Sequence, residues 1–223
     1  MKKFGYAASA IVLGIISAAA SAADFSYVGD LYVQGGTQGV GIGYAMPLTP
    51  WMGLHADING FGTSHTFTSG GNTYNGHLHL LSSGAYFDLF PIPSSAFRLT
   101  AGLLFNDDKL SGNAAATNGT YTINGKSYIA PPGTVASASA KYPAVMPYFG
   151  VGFGHKPVTT RGLGFTADLG VAYGNPHVSY TVSPVLVALA GANNVAAEEQ
   201  NIQNTVSHYR FYPIVQIGAT YHF

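Results

Sequence analysis

The sequence predicts an all-β protein, a closed antiparallel transmembrane β-barrel of about eight strands with a short helix in its last extracellular loop. Seven segments alternate apolar side chains with glycine or polar side chains, as strands with two different faces do. Charged residues make up only 8% of the 223 residues, roughly a third of the share usual in a soluble domain. The chain also begins with the features of an export signal.

The N-terminal residues have the pattern of a cleavable secretory signal peptide. Two lysines precede a short apolar run, and Ala20 and Ala22 satisfy the small-x-small rule for cleavage. We predict cleavage after Ala22, so that residues 1–22 are the signal peptide and residues 23–223 form the barrel. A membrane anchor is the alternative, but the run is too short to span a bilayer and no basic stop signal follows it.

The composition of the exported chain excludes several classes of site. Two of the nine basic residues lie in the signal, whereas all nine acidic residues follow it, which leaves a formal charge of −2. A chain with this charge lacks the excess of basic residues that is typical of nucleic-acid-binding proteins. The absence of cysteine removes disulfides, thiolate metal sites and a cysteine nucleophile together. We therefore expect no cofactor and no nucleic-acid partner.

One uncharged stretch, residues 178–197, is a candidate transmembrane helix. It contains Pro184 and Gly191, and its first half alternates as a strand does. We therefore predict that it is not a spanning helix. Helices and closed barrels are the structures that satisfy every backbone group in lipid, so a membrane protein without spanning helices is predicted to be a barrel.

The alternating segments place apolar side chains on one parity and glycine, serine or threonine on the other. They are residues 39–47, 52–62, 78–90, 97–107, 147–154, 163–173 and 209–223. A soluble β-sandwich would also alternate, but its wet face normally carries charge. Small residues suit the interior of a narrow barrel, where side chains are crowded.

Short and long connections alternate between these segments. The short ones are residues 46–50, 91–96 and 156–162. The long ones are residues 63–76, 107–140 and 174–208. Outer-membrane barrels have short periplasmic turns and long extracellular loops, so the long connections are predicted to lie outside the cell. An even number of strands then requires residues 26–34 to form a first strand that turns at Gly35-Gly36.

Two of the long connections have local structure of their own. The longest contains Asn124-Gly125, the preferred two-residue hairpin turn, between two alternating runs. In the last, Glu198 and Glu199 are predicted to fall in the first turn of a helix that follows Asn193-Asn194, where carboxylates favour the helix dipole.

The end of the chain resembles the C-terminal assembly signal of outer-membrane proteins. Gln216, Gly218, Tyr221 and the last residue, Phe223, occupy its four signature positions. The exported chain also resembles the small OmpA, OmpX and OmpW-type barrels in length and architecture. This resemblance implies a cell outer-membrane location, recognition by the barrel-assembly machinery, and contact with outer-membrane lipids and lipopolysaccharide. We expect a monomer.

Five charged residues fall on the polar parity and are predicted to form a charge network in the lumen. They are Asp57, Asp88, Arg98, Asp168 and Arg210. An Arg or Lys facing lipid at the midplane costs about 2–4 kcal/mol, which favours inward placement. Symmetric pairing across the short turn puts Asp88 opposite Arg98. Such a network either plugs the barrel or lines a path for small solutes.

The candidates for chemistry are weak. His77 and His79 share one strand face, but no third ligand is near in sequence, so we predict no metal site. Ser207 and His208 are the nearest approach to a catalytic dyad, yet neighbouring strand residues point to opposite faces. The predicted function is a structural or surface-interaction role without catalysis. The alternatives are a narrow channel for small or hydrophobic solutes and a lipid A-modifying barrel enzyme.

Overall fold

Each of the seven alternating segments lies within a strand, apart from at most two residues at either end. The structure, a computed structural model, describes residues 29–69, 72–92, 94–116, 120–131, 133–156 and 161–223, so the predicted signal peptide lies outside it. The described strands are β1 (Asp30–Gly36), β2 (Gly39–Thr49), β3 (Met52–Ser69), β4 (Asn72–Leu89), β5 (Phe97–Asn106), β6 (Lys109–Ala116), β7 (Thr120–Ile123), β8 (Lys126–Ile129), β9 (Val135–Lys141), β10 (Val145–Phe153), β11 (Gly162–Tyr173), β12 (His177–Val182) and β13 (Phe211–His222). The described helices are α1 (Pro184–Ala190) and α2 (Ala192–Val206).

Eight of the described strands close into an antiparallel ring, which we call the barrel. Its order is β1, β2, β3, β4, β5, β10, β11 and β13, and β13 pairs again with β1. This confirms the predicted fold class. The connections β2–β3, β4–β5 and β10–β11 and both chain ends of the ring lie at one end, the turn end. The connections β1–β2, β3–β4, β5–β10 and β11–β13 lie at the other, the loop end. The side chains that point outward from the strands are apolar and exposed, as at Leu99, Phe149 and Phe165.

The first hairpin differs from the prediction. β1 runs to Gly36 and the chain turns at Thr37 and Gln38, later than the predicted turn at Gly35-Gly36. A Cβ at Gly36 would collide with the backbone of Val215 in β13, so this glycine serves close packing of strands rather than a turn. Residues 26–28, the predicted start of the strand, lie outside the described residues.

Much of the predicted long-loop sequence is strand instead. β6 continues β5 beside β4 in one register, because Ser82 pairs with Asn106 and His79 pairs with Lys109. β9 likewise precedes β10, and β12 follows β11. We call the loop-end parts of β3 and β4, together with β6, β9 and β12, the half-wall. It extends one side of the barrel, whereas β13, β1 and β2 end lower.

The hairpin β7–β8 and the two helices form a cap against the half-wall. Asn124 and Gly125 make the predicted turn, with φ of 50° and 72°. There are two helices in the described last connection where one was predicted. α2 begins at Ala192, so Glu198 and Glu199 fall in its second turn rather than its first. Neither described helix is long and apolar enough to cross a membrane.

The cap has an apolar core of its own. Its buried residues come from β7, β9, β12, α1 and the segment after β8: Tyr121, Ile123, Ala130, Ala136, Val182, Leu186 and Ala190. Ala136 and Val182 lie on the parity that faces inward along β9 and β12. The cap therefore packs on the side of the half-wall that faces the barrel axis.

Candidate functional site

Arg98 of β5 is the centre of a charge cluster inside the barrel. Its side chain is fully buried, and its Nη2 lies 2.8 Å from Oδ2 of Asp168 in β11. Its Nη1 lies 3.3 Å from Oδ1 of Asp88 in β4. Thr100 and Thr166 add hydroxyls at 3.4 Å. The guanidinium thus joins strands on opposite sides of β5, and we call Arg98, Asp88 and Asp168 the charge cluster.

Asp88 has partners besides Arg98. His55 of β3 places its Nδ1 2.6 Å from Oδ2 of Asp88, and the Thr100 hydroxyl donates to Oδ1 at 2.7 Å. The residue directly opposite Asp88 in the ladder is Thr100, not Arg98 as symmetric pairing predicts. The predicted Asp88–Arg98 contact is therefore made diagonally, through the length of the arginine side chain.

The other two predicted charges lie elsewhere. Asp57 is buried, but it is held by amides: the Gln34 Nε2 donates at 3.1 Å and the Asn59 Nδ2 at 3.0 Å. Arg210 is exposed and precedes β13, and its Nε donates to the carbonyl of Ser207 at 3.1 Å. The prediction of a lumen position for Arg210 is wrong, because β13 begins later than the alternation indicates.

Sequence reasoning missed a histidine and aspartate group at the turn end. Asp30 places Oδ1 2.5 Å from His222 Nδ1 and Oδ2 3.6 Å from His155 Nδ1. The Thr166 hydroxyl lies 3.2 Å from His155 Nε2, which connects this group to Arg98. The alternation of β1 predicts that the Asp30 side chain points into the barrel. His155 follows β10 at a positive φ of 59°, so alternation gives no signal for it.

Tyrosine rings fill the middle of the barrel against glycines of the wall. Tyr86 and Tyr148 meet edge to face, with ring centroids 5.0 Å apart. A Cβ at Gly102 would collide with Tyr86, and one at Gly170 would collide with Tyr148. These glycines therefore have the space-relieving role that the polar parity predicts. His55 stacks on Tyr86 at 4.5 Å and links this layer to the charge cluster.

Towards the loop end, the interior is apolar on the side formed by β5, β10, β11 and β13. The buried residues packed with the tyrosine layer are Leu104, Met146, Ala172 and Ile214. Above them Tyr142 and Tyr212 meet at 5.1 Å, and the Tyr212 hydroxyl donates to Asp108 at 2.9 Å. Burial raises the pKa of Asp108 above its usual value. From the turn end to the loop end, the described interior holds the charge cluster, then the tyrosine rings, and then two groups side by side: the apolar residues of β5, β10, β11 and β13, and buried amides and hydroxyls such as Gln38, Ser82 and Asn59.

The predicted catalytic and metal candidates do not form sites. Ser207 donates its hydroxyl to the Asn204 carbonyl at 2.8 Å, and His208 Nδ1 lies 3.3 Å from the Thr205 carbonyl. Each side chain thus binds backbone of α2 rather than its neighbour. His77 pairs with the Ser64 hydroxyl at 2.8 Å. In the described ranges, no group of three or more potential metal ligands occurs.

The free edge of the half-wall is covered by side chains of α2. The Val178 amide donates to Gln203 at 2.8 Å, and the Tyr180 amide donates to Glu199 at 3.1 Å. Burial, together with the charge of Glu198, raises the pKa of Tyr180 to about 12. An open edge strand would invite pairing with another chain, and α2 prevents that at β12.

The predicted assembly signal lies in β13, the strand that closes the barrel. Gln216 points inward and donates to Gln38 at 3.2 Å. Gly218 also lies on the inward parity, and a Cβ there would collide with β1 at Val33. Tyr221 and Phe223 are exposed at the turn end, with ring centroids 5.3 Å apart.

Comparison with known proteins identifies a shared fold but no family. No family model and no curated protein matches the chain. The chain is similar to the crystal structure of Acinetobacter baumannii CarO2, with a TM-score of 0.60 and 21% identity over 89% of this chain and 100% of that one. It is also similar to Acinetobacter baumannii CarO, with a TM-score of 0.58 and 21% identity over 88% and 98% of the two chains.

Proposed function

We propose that the protein is a barrel of the cell outer membrane with a structural or surface-interaction role and no catalytic chemistry. The observation that carries the proposal is the filled interior. Arg98 is fully buried between Asp88 and Asp168, and Leu104 and Met146 are fully buried nearer the loop end. A conduit needs a continuous aqueous path, and these layers obstruct one.

The membrane location is supported by the outer wall and the N-terminus. The outward parity carries exposed apolar side chains such as Leu103, Phe149 and Ile217, which water would not favour over lipid. The predicted signal peptide, cleaved after Ala22, accounts for export. Outer-membrane lipids and lipopolysaccharide are then the proposed surroundings, the loop end faces the outside, and the protein acts as a monomer.

The decisive experiment is planar-bilayer recording of the refolded protein. We expect no stepwise conductance, because the charge cluster, the tyrosine rings and the buried side chains above them obstruct the interior. Reproducible ohmic steps would contradict the proposal and favour the narrow channel. Release of fatty acid from purified lipopolysaccharide by the same preparation would contradict the absence of catalysis and favour the lipid A-modifying enzyme.

A second experiment tests the proposed assembly signal. Deletion of Phe223 should reduce the yield of heat-modifiable barrel in the outer membrane, because the terminal aromatic completes the signal for the assembly machinery. Tyr209→Ala is the matched control, since Tyr209 is an exposed aromatic before the other end of β13. A normal yield for the deletion would count against recognition through this signal.

A further inference from the structure

The outer face of the half-wall continues the outer wall of the barrel. β4 runs without interruption from Asn72 to Leu89, so His79 lies on the same side as the exposed Leu81. β6 keeps the register of β5, and β9 keeps that of β10. Side chains on this parity therefore point away from the barrel axis, into the zone around the protein rather than over its mouth.

The first row above the apolar wall consists of basic side chains. His79 pairs with Lys109, Lys109 with Lys141, and Lys141 with His177, so four neighbouring strands each contribute one. Direct cross-strand partners lie on one face. All four are exposed or partly exposed. A row of this composition, one strand spacing apart, suits the phosphate groups of an anionic ligand.

Acidic groups near this row mostly bind elsewhere. Asp107 lies on the same parity, with Oδ1 3.3 Å from Lys141 Nζ, and both side chains are largely exposed. Asp108 turns inward, where it accepts from the Leu81 amide and the Tyr212 hydroxyl. Glu199 is held by the Tyr180 amide at the edge of β12. Asp107, which lies between β5 and β6, is therefore the described acidic residue that competes for Lys141.

The rows above are uncharged hydroxyls, amides and a histidine. The second row, again of direct cross-strand partners, is Ser64, His77, Ser111, Ser139 and Ser179. The third row is Thr66, Asn75, Asn113, Ser137 and Thr181. Such a flat surface of donors and acceptors offers many hydrogen bonds to sugar hydroxyls and little to an apolar partner.

A shallow, open apolar depression lies on the outer wall across β13, β1, β2 and β3 and reaches β4 at Leu81. It has a volume of about 720 Å³ and is lined mainly by outward side chains, among them Leu81, Val40, Ile58 and Ile217. Gly60 provides part of its floor. Leu81 thus borders the depression and lies two residues from His79 along β4. The depression meets the basic row only at β4, so an acyl chain lying along Leu81 would place its polar head beside His79 and Lys109.

We propose that this face binds a phosphorylated glycolipid of the surrounding outer leaflet, with Lys109 and Lys141 on its phosphates. Lysine is a common phosphate ligand. Along β4 the order, apolar Leu81, basic row and hydroxyl rows, matches the order of acyl chain, phosphate and sugar in such a lipid. Free phosphate would use only the basic row. The inference rests on the proposed outer-membrane location.

The test titrates the refolded mature chain, in zwitterionic detergent micelles, with fluorescently labelled lipopolysaccharide. Lys109→Gln with Lys141→Gln should weaken binding on the order of tenfold, whereas the Lys→Arg pair should retain it. Lys126→Gln in the cap is the matched control and should change nothing. Asp107→Asn should strengthen binding, because it removes the anion that competes for Lys141. Each variant is checked for heat-modifiable migration.

The outcomes separate this inference from the proposed function. A folded barrel that binds dephosphorylated lipopolysaccharide equally well, or an equal loss with Lys126→Gln, overturns the site. Competition by inorganic phosphate at the same phosphorus concentration, as effective as unlabelled lipopolysaccharide, overturns the lipid as occupant. A chain that never yields a heat-modifiable barrel in micelles or vesicles overturns the proposed function, and this inference with it.

Discussion

The barrel interior and the core of the cap are both buried, but they are built from different chemistry. The interior joins Arg98 to carboxylates from β4 and β11, whereas the cap core packs apolar residues such as Ile123 and Leu186. In the barrel, the wall is closed by backbone pairing, so polar groups can fill the space if they satisfy each other. The cap lacks a closed ring and depends on apolar packing.

The largest effect should follow from Arg98→Gln. Removing the arginine leaves Asp88 and Asp168 without their shared cation, and breaking a buried ion pair costs about 3–5 kcal/mol. Urea unfolding in lipid vesicles measures the loss of unfolding free energy. Losses below about 1 kcal/mol, the value for exposed pairs, would indicate a water-filled interior and break the comparison with the cap.

Double-mutant cycles should rank the two carboxylates. Asp168 lies closer to Arg98, at 2.8 Å against 3.3 Å, and Asp88 keeps His55 and Thr100 as partners when Arg98 is lost. We therefore expect a larger coupling energy for Asp168→Asn with Arg98→Gln than for Asp88→Asn with Arg98→Gln. Additive losses in both cycles would show that the charge cluster does not act as a unit.

A smaller effect, confined to the cap, is expected for Leu186→Ala. Leu186 is fully buried in α1, and truncation in so small a core should cost about 2–3 kcal/mol. Limited proteolysis should then cut the cap while the barrel keeps its heat-modifiable migration. Leu189→Ala is the control, because Leu189 lies on the same helix and is half exposed. Loss of the barrel together with the cap would mean that the two regions unfold as one.

The sequence predicts which charged residues point into the barrel, but not which contacts they make there. A strand has two faces, so alternation alone places Asp88, Arg98 and Asp168 on one side of the wall. The Arg98–Asp168 contact could not be predicted, because it depends on the register of β5, β10 and β11 across 70 positions. Arg210 was misplaced because apolar parity runs on for two residues before the strand begins.

The alternation at the start of residues 178–197 matches β12, but β6, β9 and the loop-end parts of β3 and β4 were predicted as loops, because their alternation carries little hydrophobic contrast. Serine and asparagine on the outer face of the half-wall, such as Ser111 and Asn113, oppose small residues on its inner face, such as Gly112 and Ala138. The small residues of the inner face are buried because the cap covers them, and the cap is formed by residues that are distant in the sequence. When the two faces of a segment differ little in hydrophobicity, alternation alone does not predict a strand. The inward and outward positions of β6 and β9 nevertheless continue those of β5 and β10.

The smallest effect is expected at the edge of the half-wall. Gln203 of α2 accepts from the Val178 amide at 2.8 Å and donates to the Pro176 carbonyl at 2.9 Å. Gln203→Ala leaves both backbone groups without this partner, which should cost about 1 kcal/mol because water can replace it at an edge.

Hydrogen exchange at Val178 measures this loss directly, since local opening governs exchange there. We expect exchange several-fold faster in Gln203→Ala, with barrel strands such as β11 unchanged. Gln200→Ala is the matched control on the same helix, because Gln200 bonds to Asn204 within α2 and not to β12. Equal acceleration by both variants would show that the effect comes from the stability of α2. The cap would then not be anchored to β12 by the Gln203 side chain, and its contrast with a barrel closed by backbone pairing would not hold at this edge.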